Sequence, residues 1–252
     1  MTVREVLPDG AGLGDRFVAR LGVPAEPGWV GVDELFGPAV LAAAGEARGA
    51  PSPAVAAVLL FEQYAQRLVA PVLAAWHRHG TLLDARAPRI RAQVVDGSLR
   101  RLAFADPPEP GGDPDQLLAR LVGGNLDPVA SDLHRATRAG SRVLRGAAAN
   151  AVASSLLHLS WPCRDRAEHV ADARAWLGRV PGWAGLVDVD AVRAAGEPWM
   201  YVRRATCCLA FRTTVNQARA QPCCSSCPVL PRSTTAELFG RATAAYAERH
   251  PH

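Results

Sequence analysis

The chain has no apolar stretch of the roughly 18 to 20 residues that a bilayer-spanning helix needs. The longest candidate, AVAAVLLF at 54–61, stops at Glu62. No apolar segment follows the charged, Pro/Gly-containing MTVREVLPDG, so no export leader is expected. A nucleotide-binding glycine loop is also missing, because GAGLG at 10–14 does not follow a strand. The 7 histidines make no H-x₃-H pattern, and His77 and His79 would fall on different helix faces. No triad or carboxylate pair asks for general acid–base chemistry. Aromatics make up only 6%, and the basic residues behind the net charge of +4 are dispersed arginines, so no nucleic-acid partner is expected. Cysteine is scarce as well, with 6 in 252 residues. At 49% hydrophobic, the chain can bury a core without crosslinks. The expected compartment is the cytoplasm, with at most peripheral contact with the inner face of the cell membrane.

What is present is uneven. Five of the six cysteines, Cys207, Cys208, Cys223, Cys224 and Cys227, fall within 21 residues. Four readings are open. Disulfides are disfavoured in a reducing compartment, and Cys207 and Cys208 can bridge each other only through a strained ring. Structural zinc usually takes C-x₂₋₄-C pairs, which Cys224 and Cys227 satisfy and the adjacent Cys207–Cys208 pair does not. Free cysteines without a role would have to be crowded by chance. A [2Fe–2S] centre needs four thiolates, two per iron, so a CC pair and a C-x₂-C pair on facing loops can supply it. Cys163, in SWPCRD, reads as a buried or incidental thiol.

Along the chain, residues 1–50 read as an N-terminal extension of short helices and loops. Ser52 is a natural N-cap with Pro53 behind it, and Leu60, Tyr64, Leu68 and Val72 follow at helical spacing. Pro71 is expected to kink or divide that helix. Asp96-Gly97 between two apolar runs predicts a hairpin over 89–104. DPPEPGGDP at 106–114 reads as a linker-like loop. Asp113-Pro114 and Asp127-Pro128 predict helices over 115–123 and 129–139. Further helices are expected over 142–159 and 164–178. Thr234 to Glu237 forms a capping box for a last helix to about 248. The expected fold is α+β, predominantly α-helical, with a small antiparallel β-hairpin or sheet and a C-terminal cysteine-rich loop. Residues 51–252 form the main domain and 203–230 its cysteine segment.

RRATCCLAFR…CCSSCP resembles the C-terminal signature of the FhuF family of ferric-siderophore reductases, an Arg-Arg-x-Cys-Cys run, a short loop and Cys-x-x-Cys-Pro. AAVLLFEQYAQRLVAPVLAAW and RGAAANAVASSLLHL are similar to helical blocks of that family, and the likeness covers about 52–230. The resemblance implies that Cys207, Cys208, Cys224 and Cys227 hold a [2Fe–2S] cluster, with an iron–sulfur loop at 203–230. Cys223 is then the surplus thiol, or a substitute for Cys224. Residues 209–223 separate the two pairs where the family typically has about ten. The implied activity is one-electron reduction of a ferric siderophore, of hydroxamate type, with the electron supplied by a ferredoxin or flavoprotein reductase. No catalytic residue beyond the cluster is implied. The alternatives are a zinc-held interaction module and an iron–sulfur redox sensor.

Around the cysteines, Arg203, Arg204, Arg212 and Arg219 read singly as solvated arginines and together as a positive surround for an anionic centre. Trp199 and Tyr201 read as core packing ahead of the ligands. Asn150, alone among Ala and Val, reads as a helix-packing hydrogen bond.

Overall fold

A computed structural model describes residues 13–250, apart from residue 195. MTVREVLPDG and most of GAGLG lie outside the described residues. In chain order the elements begin with β1 (Arg20–Leu21), β2 (Trp29–Gly31), the short α1 (Val32–Leu35) and α2 (Pro38–Arg48). Next come α3 (Pro53–His79), β3 (Thr81–Leu82), β4 (Ile90–Val95), β5 (Ser98–Phe104) and β6 (Glu109–Pro110). Helices α4 (Pro114–Leu118), α5 (Asp127–Thr137), α6 (Ser141–Ser160) and α7 (His169–Gly178) follow. The chain ends in β7 (Val187–Ala194), β8 (Glu197–Arg204), the single turn α8 (Thr214–Gln217) and α9 (Arg232–Arg249). The fold is α+β, mostly helical, with small sheets.

The cap signals at 52–53 act as their chemistry dictates. The Ser52 side chain accepts the Val55 amide at 3.4 Å, and Pro53 opens α3 where its missing N–H costs nothing. The helix then runs 27 residues, so Pro71 does not divide it. Its middle is apolar nearly all round, and Leu60, Phe61, Tyr64 and Leu68 show no exposed surface. Helix α6 packs along it, and each fully buried Leu or Phe in that contact contributes about 1.5–3 kcal/mol.

The hairpin forms at the expected place. Asp96 and Gly97 both take positive φ, 50° and 68°, which gives the turn the twist of its strands. A Cβ on Gly97 would lie 2.5 Å from the Ala43 carbonyl oxygen on α2. Gly97→Ala is therefore expected to lose at least about 1–3 kcal/mol of stability through backbone strain, before the clash is added. A urea unfolding midpoint unchanged from wild type would contradict this.

Four differences from the sequence reading bear on the site. The stretch expected to hold only short helices and loops also supplies β1 and β2, which complete a four-stranded sheet in the order β1-β5-β4-β2. Its β1–β5 edge is parallel, not antiparallel. The loop 106–114 pairs through β6 with β3 and accepts the Trp76 indole N–H at the Gly112 carbonyl, so it is fixed to the end of α3. Asp127 caps nothing. It already has helical φ and ψ, because a stretch of wide turns from Ala119 to Leu126 carries α4 into α5, whereas Asp113 does cap α4 by accepting the Gln116 amide at 2.7 Å.

The fourth difference is the long β7–β8 hairpin, paired over eight residues from Val187↔Arg204 to Ala194↔Glu197. Trp199 and Tyr201 are each 1% exposed within it. Trp199 lies under the Arg166 guanidinium, 4.0 Å from the ring centre, and Tyr201 donates to the Thr235 hydroxyl at 2.7 Å. Both pack the core. Thr235 is thereby committed to Tyr201 and to the Arg232 carbonyl, and α9 begins at Arg232 with no side-chain cap. The expected helix-packing bond of Asn150 does not form, since its buried Oδ1 has no partner among the described residues. Asn125 plays that part instead, accepting from Tyr64 at 2.9 Å and donating to the Ala85 carbonyl at 2.7 Å.

Candidate metal centre

Strand β8 delivers the chain to the site. At its end Arg204 donates its amide to the Ser226 carbonyl at 3.0 Å, which lays the Cys224–Cys227 segment alongside the strand. Arg203 reaches the same segment further on, donating to the Pro228 and Leu230 carbonyls at 3.3 and 3.0 Å. The two halves of the cysteine motif are thus joined by one main-chain bond and two from the Arg203 guanidinium.

Two glycines let this segment sit close to the helices. A Cβ on Gly146 of α6 would fall 2.0 Å from the Thr206 hydroxyl. One on Gly49, at the end of α2, would fall 1.8 Å from the Thr214 hydroxyl, and the Thr214 amide bonds the Gly49 carbonyl at 3.2 Å.

Five thiols line one cavity. Cys207, Cys208, Cys223, Cys224 and Cys227 surround a space of about 120 Å³, with Phe211, Arg219 and Gln221 among the other walls. Adjacent side chains usually diverge, yet Cys207 and Cys208 both reach it. The turn that permits this is at Leu209, a non-glycine residue at φ 64°, whose amide donates to the Cys207 sulfur at 3.3 Å. A branched or large residue rarely holds that conformation, so it marks a constraint at the site.

The thiols interact with each other. Cys207 engages Cys208 and Cys227, and Cys227 also engages Cys223. Cys224 instead faces the Ser226 hydroxyl at 3.6 Å. The hydrogen bond between the adjacent thiols holds Cys207 below the ordinary thiol range and pushes Cys208 above it, with burial adding to the rise at Cys208. Burial raises Cys224 and Cys227. A metal binding here would have to displace firmly held protons from Cys208, Cys224 and Cys227, but not from Cys207. Cys163 stands apart, its thiol donating to the Leu159 carbonyl.

Beneath the cavity lies an ion pair that the sequence reading did not foresee. Arg204, expected among solvated arginines, is 1% exposed and pairs with Glu62 of α3. Burial pulls its pKa down, but Glu62 and the thiols of Cys208 and Cys224 outweigh that and hold it above its ordinary value. Its Nε and Nη2, the Glu62 Oε2 and the Thr206 hydroxyl are buried with no hydrogen-bond partner among the described residues. Arg48 also faces Glu62 and Cys208. Two guanidiniums and one carboxylate leave the inner side of the cavity net positive. Arg212 and Arg219 are exposed, and Arg219 stands at the cavity wall.

This surround suits an anionic, thiolate-ligated group. The donors are soft sulfurs, and unpaired buried guanidinium N–H groups lie next to them. The space the sulfurs surround is about 120 Å³. Among the described residues no three His, Cys, Asp or Glu side chains converge on one point. The sulfurs line a cavity instead of closing on a centre. Among the described residues no helix is long and apolar enough to cross a membrane. No protein-family model matches the chain, and no curated protein matches it.

Proposed function

We propose that the cysteine cavity holds a [2Fe–2S] cluster and that the protein is a ferric-siderophore reductase of FhuF type. The observation that carries this reading is that all five clustered cysteines line one cavity. Cys207 and Cys208 from one side and Cys224 and Cys227 from the other would hold the group. Bound there, it supplies one-electron transfer.

The chain's own residues do the rest. Arg204 and Arg48 place positive charge on the inner side, which favours the added negative charge of the reduced state. Glu62 holds Arg204 in place. Cys224 and Arg219 lie on the solvent-facing side, where an external donor and a chelate can approach. The substrate is Fe(III) held by hard oxygen donors, such as hydroxamates. One electron, supplied by a ferredoxin or flavoprotein reductase, converts it to Fe(II), which such donors hold far more weakly. The iron leaves and the organic chelator stays whole. That step needs no general acid or base.

The test is iron and acid-labile sulfide analysis of anaerobically purified protein, with EPR after reduction. Two irons and two sulfides per chain, with an EPR signal and Fe(II) trapped from a ferric hydroxamate, are expected. Stoichiometric zinc without iron would overturn the reading in favour of a zinc-held module. A cluster that releases no Fe(II) but controls binding to a partner would overturn the reductase part in favour of a sensor.

The fifth thiol gives a separate prediction. Cys223→Ser should keep full iron, because Cys224 has the two-residue spacing to Cys227. Cys224→Ser should keep part of it through Cys223, and the double variant should lose nearly all. Bleaching by Cys223→Ser alone, with Cys224→Ser unaffected, would exchange the two roles.

A further inference from the structure

A larger cavity, about 580 Å³, opens between α3, the turn at Asp15–Phe17 and the β4–β5 hairpin. Asp15, Val18, Arg67, Gln93, Arg100 and Arg101 line it, and none of these residues lines the cysteine cavity. Three guanidiniums therefore face one carboxylate. Arg16 stands beside them, close enough for its charge and that of Arg67 to repel. Burial, then repulsion from Arg67, holds Arg16 below its ordinary pKa. Burial also holds Arg67 down, with Asp15 opposing the fall and Arg100 and Arg101 adding to it.

Several surface arginines elsewhere carry their own counter-charge. Arg20, Arg86, Arg89, Arg120, Arg135, Arg174 and Arg179 each pair with a carboxylate. Arg67 finds only the Asp15 main-chain carbonyl, at 3.4 Å. Among the described residues Arg16, Arg100 and Arg101 make no ion pair. Like charges brought together around an open polar cavity, with a single carboxylate among them, are destabilising unless a ligand supplies further counter-charge. The guanidinium fork matches phosphate and carboxylate oxygens in pairs, and the volume lies in the range of small-molecule sites.

We propose that this cavity binds a compact oligo-anion, a small molecule presenting two or more phosphate or carboxylate groups, held by Arg67, Arg100 and Arg101 with Arg16 at its edge. Gln93 offers an amide for an uncharged part of the ligand. The site is independent of iron, so its test does not depend on the cluster.

The test is calorimetric titration of the full chain with inorganic pyrophosphate and, separately, with citrate, at about 0.15 M salt, where attraction between exposed charges beyond about 8 Å is screened. One equivalent of at least one probe should bind. Arg100→Gln/Arg101→Gln, on the exposed hairpin surface, should weaken binding at least about tenfold, the loss of one or more charge-assisted hydrogen bonds. Arg16→Gln should weaken it less, and Arg249→Gln on α9 should leave it unchanged. Binding of pyrophosphate alone assigns a phosphate ligand, and binding of citrate alone a carboxylate ligand. Absence of saturable binding by either probe, or equal affinity in wild type and the double variant, would overturn the proposal.

Discussion

Cys207→Ser should leave the anaerobically purified chain nearly colourless, with iron and acid-labile sulfide below about a tenth of the wild-type content. Loss of supporting groups around a metal already costs about 10–100-fold in affinity, and loss of a ligand costs at least as much. Cys207 engages Cys208 and Cys227 in the cavity and accepts the Leu209 amide. Cys163 bonds elsewhere, and the one spare thiol of the cavity, Cys223, adjoins Cys224 in the other half of the motif. Cys208→Ser and Cys227→Ser should behave alike. The fold should survive, because most of the hydrophobic core lies outside the cysteine segment. Iron content near wild type in Cys207→Ser would defeat the proposed ligand set.

Glu62→Ala is expected to cost about 3–5 kcal/mol in the metal-free chain, the usual result of leaving a buried charge without its partner. Arg204 is 1% exposed and Glu62 is its one ion-pair partner. Against a typical total of about 5–15 kcal/mol, that loss would bring the protein close to unfolding. Urea denaturation measures it directly. Glu62→Gln, which keeps an acceptor for the guanidinium, should cost less. A loss below about 1 kcal/mol for Glu62→Ala, the scale of an exposed pair, would show that Arg204 does not depend on Glu62 for its counter-charge.

Much of the helical framework was legible because its signals are local. Ser52-Pro53 and Asp113-Pro114 act within one turn, and Asp96-Gly97 specifies its own hairpin. The misses depend on partners distant in sequence. Thr234 looked like the cap of a capping box, but the helix starts two residues earlier, at Arg232, and takes Thr234 inside it. Asp127 looked like a cap, but wide turns carry the helix through it. The β7–β8 hairpin lacks an Asn-Gly or Asp-Gly turn, although the alternating burial of Val187, Asp188 and Val189 carries the strand period. At the site, the cysteines announced themselves by crowding. Glu62 registered only as the residue that ends an apolar run. Its pairing with Arg204, 142 positions away, arises where α3 meets β8, and no spacing rule reports that.

The close approach at Gly49 and Gly146 has a consequence for how the protein is made. The cysteine loop rests on helices α2 and α6 through contacts too tight for a side chain, while α3 and α6 build their packing without it. Such a chain can take its shape before any metal arrives, so the proposed cluster would be loaded into an already folded protein.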